Sequence, residues 1–441
     1  MNRLNKRAAV AAPEVRAGAI IHEHTLRNGL RILLAERHSD PVVKVIVFYG
    51  VGSRSETDQE AGMSHFLEHM MFKGSAKYEK GQVDTLTTML GGQNNAFTGN
   101  DHTAYWMRFA ADRWETALEI EADRMQGLTL DPVEFNSERD VVLEELAMGE
   151  DEAWGVLAKR VEATIFGRHP YGRPIIGYRE SLLAMEPADM HAFHARYYHP
   201  GNATLVIGGD FDPKQALRLI RKHFSKIEAG PKDADKDAFR LPMPDPGSAE
   251  VRLRMRWDDP GRRLIMAWPT DRVGTDTDYD LDVLSGIMTS GRGSRMIKSL
   301  VEGEGLATSI STSNDARVHA GIFWLFAECA QGVAPEILEA AIDEELRLIR
   351  DNKPSAAEIK RTHLMIQAQE SASSEAIGDV AEELGSLAVD ATWRLAFDGG
   401  EGHGKVTAKR VQATAKRLLT DERRIVAWSL PSDQVLDGGE A

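Results

Sequence analysis

A chain of 441 residues is longer than one ordinary hydrophobic core organises, so two or more domains are expected. With 42% apolar and 27% charged residues the balance is globular, and a formal net charge of −15 without any basic run argues against a nucleic-acid-binding surface. The single cysteine, Cys329, excludes an intramolecular disulfide, and no stretch approaches the roughly 20 apolar residues of a membrane helix.

The N-terminus starts basic, at Arg3, Lys6 and Arg7. The apolar run after it, from Ala8 to Ala12, is shorter than the roughly 7–15 residues of a signal-peptide core. Residues 1–18 read as an extension, and two compartments stay open, the cytoplasm and a periplasm reached by a longer precursor. We favour the periplasm, with the chain in mature form. Segments 22–27 and 30–35 flank Asn28-Gly29, which predicts a hairpin closed by a tight type I′ turn. A third strand is expected at 42–49. Helical periodicity follows at 60–72, 81–90, 112–126 and 132–149, and an apolar strand at 203–208 closes the first half. The stretch 226–249 is rich in Pro, Gly, Ala and charge and reads as a linker, with its core at 233–249.

A similar order then recurs. Segments 251–257 and 263–268 read as a hairpin around Asp259-Pro260-Gly261. Helices are expected at 278–288 and 295–302, a strand at 322–329, helices at 334–350, 356–388 and 406–419, and a last strand at 424–430. The fold class is therefore α+β, with two related domains at 19–232 and 250–441, each a mixed sheet packed with helices.

Chemistry concentrates in Gly62-Met63-Ser64-His65-Phe66-Leu67-Glu68-His69-Met70-Met71-Phe72-Lys73-Gly74. On a helix His65 and His69 share a face and can present two imidazoles to one cation, with the Glu68 carboxylate alongside. Such borderline ligands suit zinc. A catalytic zinc takes three protein ligands and keeps one position open, so a third must come from elsewhere. Asp131-Pro132-Val133-Glu134 reads as a capped helix start. Downstream of it Glu138 and Glu145 share a face two turns apart, with Glu144 as the rival ligand about 100° away. Taken alone, the tetrad competes with a solvated helix face, and the glutamates with a solvated acidic stripe.

HxxEH is the inverted-zincin signature, and the chain resembles the pitrilysin/insulinase superfamily. The nearest likeness is to the small-subunit branch that includes mitochondrial processing peptidase and bacterial heterodimeric zinc peptidases. Besides 62–74 the likeness runs through Gly92-Gln93-Asn94-Asn95-Ala96-Phe97-Thr98, Thr103-Ala104-Tyr105, and Glu138 to Glu145. It continues in His169-Pro170-Tyr171-Gly172-Arg173-Pro174 and Tyr198-His199-Pro200-Gly201-Asn202. The resemblance implies half of a clamshell around a chamber, one Zn2+ per chain, and hydrolysis of peptides or unfolded segments. It implies His65, His69 and Glu145 as metal ligands, Glu68 as general base with Glu138 as a supporting catalytic acid, and Asn95, Ala96 and Phe97 as a substrate-binding edge strand.

The sequence departs from the family at one point. Active members carry an Arg and a Tyr seven residues apart in the second half, and the matching positions here are Val301 and Thr308. Losing one oxyanion donor costs roughly 10²–10³ in rate. The expectation is a homologous partner subunit that supplies the pair, with Arg292 and Arg295 as weaker substitutes. The competing reading is a non-catalytic structural subunit of a larger complex.

Overall fold

A computed structural model describes residues 14–231 and 249–432. The extension is therefore seen only from Glu14 onward, and the linker at 233–249 lies outside the described residues except for its last position.

The chain opens with β1 (Glu14–Arg16), β2 (Ala19–Thr25), β3 (Arg31–Glu36) and β4 (Val42–Tyr49). Helices α1 (Met63–Met70) and α2 (Gln82–Met89) precede the hairpin of β5 (Gln93–Thr98) and β6 (Thr103–Ala110). Then come α3 (Glu115–Gly127), α4 (Pro132–Glu150), α5 (Ala153–Phe166), α6 (Arg179–Ala184), α7 (Pro187–Tyr197), β7 (Ala203–Gly209) and α8 (Pro213–Phe224). Past the linker lie β8 (Val251–Trp257), β9 (Arg263–Thr270), α9 (Asp276–Thr289), a π-helical turn at Ile297–Val301, β10 (Ala307–Ala316) and β11 (Gly321–Cys329). The chain ends with α10 (Pro335–Asp351), α11 (Ala356–Ser373), α12 (Ile377–Asp390), α13 (Leu395–Gly404), α14 (Ala408–Leu418) and β12 (Ile425–Pro431).

Two sheets form, in the orders β1-β2-β3-β7-β4-β6-β5 and β10-β11-β9-β12-β8. Without β1 and β2 they are one topology drawn twice. β3 runs parallel to β7 as β8 runs parallel to β12. The remaining neighbours, β7–β4–β6–β5 and β12–β9–β11–β10, are antiparallel throughout. Every residue of β7 and of β12 is buried, as unalternating apolar strands at a sheet's centre must be.

Local pattern misleads at three places. The turn after β2 is not type I′, because Asn28 lacks the positive φ that type requires; only Gly29 has it, at 92°. Leu26 and Leu30 close a longer loop through Leu26 N–H to Leu30 O, 2.9 Å. Strands β8 and β9 are not a hairpin either, since β12 lies between them. The sequence of β8 explains why: Arg252, Arg254 and Arg256 alternate with apolar residues, which suits a charged sheet edge, while β9 is buried over its centre. Finally, the helix expected over 356–388 is two helices, interrupted at 374–376, where consecutive serines compete for backbone groups.

That interruption matters to the packing. The described residues cluster into two compact units, one from 14–143, 175–231 and Ser371–Phe397, the other from Glu144–Pro174, 249–370 and 398–432. Each sheet is thus covered by a helix drawn from the opposite half of the chain. In the first unit α12 lies on β3, β7 and β4, with Ile377, Val380, Ala381 and Leu384 packed against Leu33, Ile46, Phe48 and Val206. A Cβ at Gly385 would meet the Phe48 ring at 2.0 Å, so glycine is required for that approach. In the second unit α5 lies on the equivalent strands β8, β12 and β9, through Leu157, Val161 and Ile165.

Candidate metal centre

The helix that carries the tetrad is held by its first turn. Gly62 at its N-cap has φ 95°, and a Cβ there would stand 2.5 Å from the Ile176 carbonyl oxygen. A buried carboxylate, Glu56, accepts from the Gly62 and Ser64 amides at 2.9 and 2.7 Å, which satisfies orphan donors at the positive end of α1. Met63, Ser64, Phe66, Leu67 and Met70 are buried, while His65, Glu68 and His69 stay half-exposed on the remaining face.

Helix α4 lies alongside. Asp131 caps it, its Oδ1 accepting from the Val133 and Glu134 amides at 2.9 and 3.1 Å. Phe135 packs on Phe66 with ring centroids 4.7 Å apart. From Phe135 the inward face continues through buried Glu138 and Val142, and Glu145 follows along the same uninterrupted helix at an exposed position.

His65, His69 and Glu145 come together: one donor atom from each lies within 4.8 Å of the others. Donors at roughly 2.0–2.2 Å from a tetrahedral zinc stand about 3.3 Å apart, a spacing that small side-chain rotations reach from here. The residues present therefore fit the ion. The two imidazole rings are 4.8 Å apart and inclined at 65°, so they approach a common point without stacking.

Behind the donors sits an ordered shell. His69 Nδ1 pairs with Glu138 Oε1 at 2.9 Å, and Lys73 Nζ meets Glu138 Oε2 at 2.5 Å. Burial alone would raise the Glu138 carboxyl, but Lys73 and His69 outweigh it and hold the group below the ordinary carboxylate range. With Nδ1 donating to this carboxylate, the His69 Nε2 keeps the lone pair that a cation needs. Glu68 has its own anchor: Thr98 Oγ1 donates to Glu68 Oε2 at 2.5 Å. Beneath them Tyr105 and Tyr198 share a hydrogen bond at 3.0 Å, and burial, reinforced by Glu68, pushes both phenols upward, so they stay neutral.

Asn95, Ala96 and Phe97 lie in β5, the edge strand of the first sheet, opposite Trp106, Tyr105 and Ala104 of β6. The Ala96 amide donates to Asn95 Oδ1 at 2.9 Å, and the Phe97 ring packs edge-on against Phe48, centroids 6.3 Å apart. Sequence reasoning missed Glu56, Lys73 and Thr98. The signal for Thr98 was strand parity, which places it on one face with Asn94 and Ala96.

In the second unit Val301 ends the π-helical turn and Thr308 is an exposed residue of β10. Arg295 is bound bidentately by Glu358, at 2.6 and 3.2 Å, and Arg292 is 92% exposed beside Glu302. Both side chains are engaged by carboxylates of their own unit.

A twice-drawn sheet with a two-imidazole, one-carboxylate cluster on its first copy defines a class: an α+β protein built to hold a divalent cation beside a further acid. The insulinase (peptidase family M16) model matches residues 31–179, and the peptidase M16 inactive-domain model matches 184–363. An uncharacterized zinc protease of Mycobacterium leprae is 31% identical over 373 residues, covering 81% of this chain and 80% of that protein. A protease from Helicobacter pylori has the same fold, with TM-score 0.88 at 24% identity over 93% of this chain and 99% of that one. The periplasmic protease PqqL from Escherichia coli gives TM-score 0.79 at 18% identity, covering 96% of this chain but 48% of that one. The chain belongs to the pitrilysin/insulinase (M16) peptidase family. His65, Glu68, His69, Glu138 and Glu145 all fall inside the insulinase match, outside the inactive-domain match.

Proposed function

We propose that this chain is the zinc-bearing subunit of an endopeptidase that hydrolyses extended peptides. The observation that carries the reading is the convergence of His65, His69 and Glu145 beside a carboxylate, Glu68, that is fixed from an open sheet edge. A zinc ion held there supplies Lewis acidity toward the scissile carbonyl and acidifies a water molecule. The chain's own residues do the rest. Glu138 orients His69 through Nδ1, and Lys73 compensates the buried charge of Glu138, so both are positioning residues. Glu68 accepts the water proton and returns it to the leaving amine. Thr98 holds Oε2 and so fixes the orientation of the Glu68 carboxylate. The substrate backbone adds along β5, where a rotation of Asn95 releases the Ala96 amide to a peptide carbonyl.

The missing oxyanion donors at Val301 and Thr308 point to a partner of similar fold that brings an Arg and a Tyr. Support comes from PqqL, a chain long enough to hold this fold twice. The periplasm is the proposed compartment. Metal analysis of the purified chain tests the core of this reading: one zinc per chain is expected, abolished by His65→Ala or Glu145→Gln. A chain that binds no zinc is instead a structural subunit. Assay with and without a co-purifying homologue tests the partner, and full peptidase activity from the chain alone would exclude that need.

A further inference from the structure

The second unit contains a cavity of about 360 Å³ at one end of its sheet, remote in sequence from the metal-centre residues. It is bounded by the end of β9 (Thr270), the loop into α9 (Asp271 and Arg272), the β10–β11 turn (His319), the last turn of α14 (Arg417) and the segment after it (Arg423). Three guanidiniums and one carboxylate line it. Asp271 stands 3.3 Å from Arg417, which leaves two positive charges uncompensated in a chain whose net charge is −15.

The remaining two arginines are conspicuous for what they lack. Among the described residues neither Arg272 nor Arg423 meets a carboxylate, and the Arg423 Nε is buried with no acceptor. Guanidiniums that line a cavity without a carboxylate of their own favour an anion there. An apolar ligand would leave all of these donors unmet. A monoanion would leave one charge over.

We propose that this cavity binds a small dianionic oxyanion, phosphate or a short dicarboxylate, gripped by the guanidiniums of Arg272 and Arg423. Planar guanidinium forks match two oxygens at once, which is why arginine suits this role. Occupancy would tie together segments near 270, 319, 417 and 423, so binding stabilises the second unit.

Calorimetric titration of the full chain with phosphate, succinate and acetate tests the idea, and the order of the first two identifies the ligand class. Saturable binding of phosphate or succinate is expected, at least about tenfold tighter than acetate, and Arg272→Gln and Arg423→Gln each weaken it roughly tenfold or more. At about one hundred times the dissociation constant, the Tm of the second unit rises by roughly 5–10 °C. Arg272 is exposed, so its variant remains informative if Arg423→Gln fails to fold. Repeating the titration in His65→Ala removes any signal from the metal centre and separates this test from the peptidase reading. No saturable heat at about 10 mM, or binding unchanged in both arginine variants, overturns the proposal.

Discussion

The two sheets answer one question in opposite ways: what stands between the helix after the third core strand position and the edge strand. In the first sheet that helix is α1, and Glu68 on it accepts a hydrogen bond from Thr98 of edge strand β5. In the second sheet the matching helix is α9 and the matching edge strand β10. There Thr312 of β10 bonds Ser285 and Thr289 of α9, with hydroxyl pairs at 3.0 and 2.8 Å. Both copies place a strand threonine against the helix. One copy joins it to an ionisable acid flanked by imidazoles, the other to two neutral hydroxyls four residues apart. The duplicated topology therefore teaches that the architecture supplies a polar contact between helix and edge, and that side chains on α1, with Glu145 of α4, add a candidate metal cluster beside it in one copy only.

The largest expected effect comes from removing the acid itself. Glu68→Gln keeps the shape of α1 while abolishing proton transfer, and peptidase activity should fall by roughly 10²–10⁴-fold with zinc content unchanged. Loss of zinc together with activity would mean that Glu68 serves as a ligand, and the contrast between α1 and α9 would need redrawing. Next in size is the shell around His69. Glu138→Gln and Lys73→Met should each lower zinc affinity by roughly 10–100-fold, measured by competition with a chelator. Equal affinities would show that the pair merely fills space between α1 and α4.

Part of this was readable from residues alone, while the choice of Glu145 over Glu144 came only from the family resemblance. His65, Glu68 and His69 lie within five positions of one helix, so their common face is local information, and Glu138 and Glu145 are two turns apart on another. Strands Val42–Tyr49 and Val251–Trp257 emerge with the expected bounds because their apolar or alternating runs end at turn residues. By contrast, β7 entering between β3 and β4, and β12 between β8 and β9, are pairings over long sequence separations that no local pattern encodes. Strand β5 is polar (QNNAFT) and only half-buried, so it carries no apolar period of its own. Thr98, Lys73 and Glu56 escaped notice for the same reason, since each gains its role from a neighbour that only folding supplies. The exchange of α5 and α12 between halves was equally invisible, because an amphipathic helix does not specify which sheet it will cover.

A paired substitution at the two threonines sharpens the comparison further. Thr98→Val removes the donor to Glu68 and should lower kcat by roughly tenfold with little change in KM, while Thr98→Ser restores it. Thr312→Val removes the hydroxyl contacts to Ser285 and Thr289 but leaves their bonds to the Thr312 backbone, and should cost about 1 kcal/mol of stability, with activity unchanged. If Thr312→Val lowered kcat as much as Thr98→Val, the two edges would not be functionally distinct.

The smallest effect is a difference in how the units respond to acid. In the first unit His194 is stacked on Tyr198 and lies 3.3 Å from the Arg124 carbonyl oxygen. Burial drives its pKa down to about 4, with nearby His191 adding slightly and the Arg124 carbonyl opposing. The unfolded chain takes up this proton near pH 6.5 and the folded chain does not, so the contribution is complete above about pH 6.5 and is lost as pH falls toward 4. In the second unit Asp278 behaves oppositely. Burial, with Asp282 beside it, raises its pKa to about 6 despite hydrogen bonds from the Gly274 amide and Asn314 and the nearby His403. Its contribution is complete below the ordinary carboxylate value of 3.8 and is lost as pH rises through 6. Between about pH 4 and 6 the two groups therefore tilt stability in opposite directions. Hydrogen exchange at pH 5 and pH 7 should show amides around α7 losing relative protection at the lower pH while those around α9 gain it. His194→Gln should flatten the first trend and leave the second alone, whereas parallel changes in both regions would mean that the two units unfold as one cooperative body.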